Sequence, residues 1–214
     1  MLRARAEADK AIKRKSILDS AMVLFHGNSG LMPTVVQIAQ HAGMGKGTVY
    51  LYFSTREEIF LSLLSEGLEA WINHIDSNVN KGKPVAVETI VESTCSYIEL
   101  HPELLSLASM MNSILEKNIE SEKVVLFKQN LLKHLQEVAA NITRHFPKLT
   151  DDEATLMILK GYALILGLWQ LSSLPGAVQK MLQEREMGIL NVDFSKEIRD
   201  SLIALWHGTL ARKG

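Results

Sequence analysis

The sequence predicts an all-α protein of about nine helices, with a three-helix head at its N-terminus and a helical body behind it. Three observations carry this. Apolar residues recur at three- and four-residue steps nearly throughout, the period of a helix with one buried face. Proline and glycine, which punctuate turns, number only 5 and 13 in 214 residues. Three strings, Thr34–Gln37, Thr55–Glu58 and Thr150–Glu153, have the Thr-x-x-Gln/Glu spacing of a capping box ahead of an apolar run.

The first helix is expected from about Asp9 to His26, with Ile17, Ala21, Leu24 and Phe25 inward and Gly27 as its stop. A loop through Gly27-Asn28-Ser29-Gly30 leads past Pro33 to the Thr34 cap. Two short helices follow, Thr34 to His41 and Gly45 to Tyr52. Thr55 opens a long helix through Ile59, Phe60, Leu64, Leu68, Trp71 and Ile75, ended by a loop at residues 80–84. The next spans about Val85 to Leu100. Pro102 then sits in the first turn of a helix carrying Leu104, Leu105, Leu107, Ala108, Met111, Ile114 and Leu115. A regular stripe (Val124, Phe127, Leu131, Leu135, Val138, Ile142) predicts a helix from Glu120 to Phe146. The helix from Thr150 to Leu174 is apolar nearly all round, so it must be covered on several sides. Pro175-Gly176 breaks it. A short polar helix to Glu186 and a last helix from Phe194 to Arg212 complete the chain.

Thr34 to Phe53 (TVVQIAQHAGMGKGTVYLYF) is the most informative stretch. Ala39 is small where two helices cross, Gly43 suits a turn with positive φ, and Val49 points back into the core. Their offsets of zero, four and ten are those of a helix-turn-helix. The second helix of that motif fits the DNA major groove. Lys46 can reach a guanine edge or a phosphate from the start of that helix, and Thr48 is the next polar residue on its outward face. Tyr50 and Tyr52 can set a ring on sugar and donate to phosphate. Gly45 and Gly47 let the backbone approach closely. Thr34 and Gln37 suit phosphate contacts that fix register, and Arg56 would clamp the backbone from the other side.

Bulk properties agree. Residues 1–53 carry seven Lys/Arg against three Asp/Glu, and residues 54–214 carry sixteen against twenty-one, a basic head on an acidic body. The single cysteine, Cys95, excludes an intramolecular disulfide and suits a reducing compartment. The N-terminus is charged and lacks a secretory h-region, and the apolar run Gly161 to Trp169 falls far short of the ~20 residues that span a bilayer. A cytoplasmic protein with no membrane partner is expected.

The stretch from Ile17 to Phe60 resembles the TetR family of transcriptional regulators. The match runs through Ile17-Leu18-x-x-Ala21, Leu24-Phe25, Gly30, Thr34-Val35, Ile38-Ala39, Ala42-Gly43 and Lys46-Gly47-Thr48-Val49-Tyr50-Leu51-Tyr52-Phe53, then Arg56 and Glu57-Glu58. The sequence departs from the family pattern at Gly45, where Ser or Thr is usual, and at Leu51, where His is frequent. The loop after the first helix is one residue longer. The resemblance implies a DNA-binding head (1–54) and a body (55–214) that binds a small molecule. It also implies a homodimer through the helices at 151–174 and 194–212. Two heads on one dimer would bind a near-palindrome of double-stranded DNA, and repression is the family's usual outcome. Tyr97, Met110, Met111, Phe127, Met157, Tyr162 and Trp169 are large, adaptable side chains suited to lining a pocket for a hydrophobic effector.

Enzymatic readings find no support in the sequence. The seven histidines form no i, i+4 pair, no Gly-rich phosphate loop follows a strand, and no Gly-x-Ser-x-Gly elbow occurs. No catalytic residue, metal site or cofactor is expected. The alternative function is a helical protein–protein adaptor that keeps this fold without binding DNA.

Overall fold

The computed structural model describes residues 2–28, 30–80, 84–111 and 116–213. Among them are ten α-helices and no strand. They are α1 (Leu2–Gly27), α2 (Val35–His41), α3 (Lys46–Tyr50), α4 (Arg56–Val79), α5 (Val87–Leu100), α6 (Glu103–Met110), α7 (Ser121–Thr143), α8 (Asp151–Ser172), α9 (Gly176–Glu184) and α10 (Phe194–Ala211). Short 3-10 turns at Glu116–Asn118 and Gly188–Leu190 complete the list. Ser29, the loop residues at 81–83, Ile114 and Leu115 lie outside the described residues. The chain divides into two compact units, Met1–Gly67 with Ser106–Phe127, and Leu68–Leu105 with Lys128–Gly214.

In the first unit, Ile17, Ala21 and Phe25 of α1, Ile38 and Ala39 of α2, Val49 of α3, and Ile59, Phe60 and Leu64 of α4 are fully or almost fully buried. The Phe25 and Phe60 rings meet at 5.5 Å between centroids. α1 starts seven residues earlier than its apolar pattern indicates. Its first turns hold no amphipathic signal, but they are rich in Ala, Arg, Lys and Glu, strong helix formers with no breaker among them. The helix ends at Gly27, the expected stop. The left-handed residue is Gly30 (φ 81), whose N–H donates to the Phe25 carbonyl at 3.0 Å. Gly43 adopts φ 66, as the turn between α2 and α3 requires.

The capping boxes order the helix starts. Thr34 Oγ1 accepts the Gln37 N–H at 3.3 Å and Gln37 Oε1 accepts the Thr34 N–H at 2.8 Å. The box at Thr150 and Glu153 is equally complete. The one at the start of α4 differs from expectation. Thr55 Oγ1 accepts the Glu58 N–H at 3.1 Å, but the Glu58 carboxylate reaches back to the Ser54 N–H at 2.7 Å. Its other oxygen is held by Lys123 Nζ at 3.0 Å, from the first turn of α7.

In the second unit, α10 packs on α5 and α8 through Ile198, Leu202 and Trp206. Gly161 of α8 gives room for Leu202, since a Cβ there would stand 3.2 Å from Leu202 Cδ2. The Trp71 indole donates to the Thr94 carbonyl at 3.0 Å. Arg199 makes a two-pronged contact with Glu99 (2.6 and 2.9 Å) and a third bond to Glu92 (3.2 Å). The expectation about span length needs correcting. Among the described residues α8, at 22 residues, is long and apolar enough to cross a membrane by length and composition alone. Lys160 and Gln170 interrupt the apolar run only singly, so the whole helix averages apolar. Its inward side (Ala154, Met157, Gly161, Ile165) is buried, while Leu156, Leu159, Leu164 and Leu171 remain exposed.

Candidate nucleic-acid interface

The first unit carries the candidate site on α2, α3 and the start of α4. Thr34, Val35 and Val36 at the head of α2, Lys46 and Tyr50 of α3, and Ser54, Thr55, Arg56 and Glu57 at the head of α4 line one open cleft of about 440 Å³. Four of the nine residues singled out from the sequence therefore converge: Thr34, Lys46, Tyr50 and Arg56. Three helix segments deliver them because the Gly43 turn and the buried Val49 fix α3 against α2, while the Thr55 cap fixes where α4 begins.

The other five lie outside that cleft. Gln37 is exposed, with its side-chain oxygen engaged in the Thr34 cap. Gly45 is the N-cap of α3 in an extended conformation and makes no side-chain cap, and Gly47 faces open space. Thr48 and Tyr52 are half-buried. Tyr50 is the outward tyrosine, 46% exposed, and Lys46 Nζ sits 5.7 Å from its ring centroid. That cation–π contact holds the ammonium over the ring and in reach of solvent. The Arg56 guanidinium pairs with Glu57 at 3.0 Å, so a phosphate would compete with a carboxylate for it.

Sequence reasoning missed Val35, Val36, Ser54, Thr55 and Glu57 as cleft residues, although the Thr34 and Thr55 cap signals marked their neighbourhoods. It also missed Lys123. Beyond Glu58, the Lys123 ammonium approaches Ser54 Oγ at 3.3 Å, which ties the first turn of α7 to the rim of the cleft. The hydrogen bond to Glu58 raises the Lys123 pKa above its ordinary value. No local pattern could have marked a partner 65 residues away.

The seven residues expected around a ligand fall into two groups. Met110, Met111 and Phe127 belong to the first unit, and Tyr97, Met157, Tyr162 and Trp169 to the second. Tyr97 lies between His74 (5.4 Å) and His101 (4.4 Å), and burial raises the pKa of its phenol. Met157 is fully buried, and its sulfur accepts the Thr209 hydroxyl at 3.2 Å, a place in the α8–α10 packing. Phe127 is buried, and the remaining four are half-buried. Burial pushes the Cys95 thiol up to about 11, so it stays protonated at neutral pH. Among the described residues no group of three His, Cys, Asp or Glu could hold a metal ion.

Comparison with known proteins bears on both parts of the chain. Residues 17–63 match the family model of the bacterial regulatory proteins of the tetR family. Residues 65–213 match that of the tetracyclin repressor-like C-terminal domain. The fatty acid metabolism regulator protein of Bacillus subtilis is 33% identical over 81 residues, 38% of this chain and 41% of that protein. An uncharacterized HTH-type transcriptional regulator of the same organism, YfiR, is 25% identical over 87 residues, 41% of this chain. The chain thus spans about two fifths of the length of the curated relatives it matches. Among solved structures, FadR from Bacillus subtilis in complex with stearoyl-CoA superposes with a TM-score of 0.56 at 18% identity, over 89% of this chain and 96% of that one. The triclosan complex of SmeT does so with a TM-score of 0.53 at 18% identity, over 90% of each chain. SmeT is the repressor of the Stenotrophomonas maltophilia multidrug efflux pump SmeDEF. Two family models in tandem cover nearly the whole described fold, and the chain belongs to the TetR family of transcriptional regulators.

Proposed function

We propose that the protein is a repressor that binds a near-palindromic operator as a homodimer and is released by a hydrophobic small molecule. Residues 1–54 read the DNA, and residues 55–214 bind the effector and join the two copies. The observation that carries the reading is the cleft. Thr34, Lys46, Tyr50 and Arg56, from three helix segments, meet on one exposed face of the helix-turn-helix. Lys46 and Arg56 meet phosphate or base edges, and Thr34 and Tyr50 supply hydroxyl donors to phosphate. Gln37, Gly45, Gly47, Thr48 and Tyr52 complete the surface around them.

One head makes few phosphate contacts, so its binding is weak and salt-sensitive. Two linked heads raise affinity through effective concentration, with half-sites roughly 34–36 Å apart or a multiple of that. Support for dimerisation comes from α8, whose Leu156, Leu159, Leu164 and Leu171 leave an apolar face uncovered by this chain. Support for a hydrophobic effector comes from FadR and SmeT, solved with stearoyl-CoA and triclosan. The bond from Lys123 to Glu58 offers a route for release, because a shift of the first turn of α7 would reach the residues lining the cleft. An effector works this way only by binding the DNA-incompetent arrangement better.

The test is selection of bound duplexes from a random pool, followed by titration with stearoyl-CoA and other hydrophobic compounds. A two-fold symmetric site is expected, and Lys46→Ala with Tyr50→Phe should abolish its retention. Unchanged retention by that double variant would assign the face to another partner. No change in operator affinity with any compound would remove the effector from the proposal.

A further inference from the structure

The crest of α3 carries an apolar reading group. Val49 is fully buried and marks the side of α3 that faces the core. Leu51, at the C-cap, keeps a helical backbone (φ −72, ψ −17). At 3.6 residues per turn, a step of two positions rotates a side chain by about 200°. Gly47 and Leu51, two residues either side of Val49, therefore both lie opposite the core, one turn apart. A Cβ at Gly47 would meet nothing within 4 Å, so the crest beside Leu51 is bare. Leu51 itself is 79% exposed, and Tyr50 beside it and Val36 on α2 are exposed as well.

Leucine neither donates nor accepts a hydrogen bond. Pressed against a polar base edge, it would strip that edge of water without replacing the lost bonds, which is unfavourable. The major groove offers one apolar group on its base edges, the C5-methyl of thymine. We propose that Leu51 reads the 5-methyl group of one thymine in each half-site, and that the missing side chain at Gly47 lets the crest come close enough to do so. The proposal rests on the DNA-binding reading above and adds a base and a residue to it.

The experiment uses the full chain and the duplex selected from the random pool. Each thymine is replaced singly by deoxyuridine, which differs only by the missing methyl group. Affinities are measured for the unaltered protein and for Leu51→Ala, whose melting curve should be unchanged because the side chain is exposed. At one thymine per half-site, deoxyuridine should weaken the unaltered protein about fourfold, the transfer of one methyl-sized group out of water. At that position Leu51→Ala should bind thymine and deoxyuridine equally. The proposal is overturned if no position shows a penalty that depends on Leu51, if Leu51→Ala weakens every duplex alike, or if the selected half-site holds no thymine. A pool yielding no bound duplex would instead overturn the DNA-binding reading itself.

Discussion

Breaking the Lys123–Glu58 pair measures how firmly α7 holds the rim of the cleft. Glu58→Gln removes the charge but keeps an oxygen that can still accept the Ser54 N–H, so the cap survives and only the ion pair is lost. Lys123→Met removes the same pair from the other end and leaves the cap intact. At 3.0 Å the two charges attract by about 5.5 kcal/mol for an effective dielectric near 20. Most of that is offset by desolvation and by ordering a lysine side chain. Measured exposed pairs retain about 0.2–1 kcal/mol. The Glu58 side chain is only 19% exposed here, which places this pair near the top of that range. A double-mutant cycle by urea denaturation in low salt should therefore give a coupling of about 1 kcal/mol, reduced in high salt. Because Glu58 raises the Lys123 pKa above 10.5, the coupling should be fully present from neutral pH up to 10.5 and lost as pH rises through the higher folded value. A coupling below about 0.3 kcal/mol, within the usual additivity error, would refute the claim that this contact ties the first turn of α7 to the rim of the cleft.

Three further outcomes follow from the geometry. Gly43→Ala should lower stability by about 1–2 kcal/mol, because φ 66 strains any residue with a Cβ. Gly43→Asn should lower it less. Nothing stands within 4 Å of that Cβ, so equal losses in thermal melts would implicate something other than backbone strain. Gly47→Ala should act oppositely, raising stability by about 0.5–1 kcal/mol through helix propensity while weakening duplex retention. A lowered melting temperature would show that the crest of α3 is not helical in solution. Arg199 donates to Glu99 and holds its carboxyl below the ordinary value of 4.5. That stabilisation is present above 4.5 and lost as pH falls through the lower folded value. In Arg199→Met this acid limb of the stability curve should flatten, and an unaltered limb would mean the pair contributes nothing measurable.

Much of the head was legible because its signals are local. Thr34 and Gln37, three residues apart, close their box wherever the rest of the chain lies, and Gly43 announces a left-handed turn by lacking a Cβ. The same locality made Lys46, Tyr50 and Thr34 recognisable as neighbours on one surface. It failed at Gly30, the left-handed residue beyond the end of α1 at Gly27. It failed again at Glu58, whose carboxylate caps Ser54 rather than Thr55.

By itself the sequence determined the helices, the capping boxes at Thr34 and Thr150 and the helix-turn-helix, since hydrogen bonds and side-chain periods within a few residues decide those. Only the tertiary structure decided that Ser106–Phe127 joins the first unit and that Lys123 bonds to Glu58. It alone decided that the Met157 sulfur meets the Thr209 hydroxyl of α10, and which side of α8 stays uncovered. A helical period says which side of a helix is apolar. It does not say which distant segment arrives to cover that side, because the choice depends on shape and charge meeting across many intervening residues.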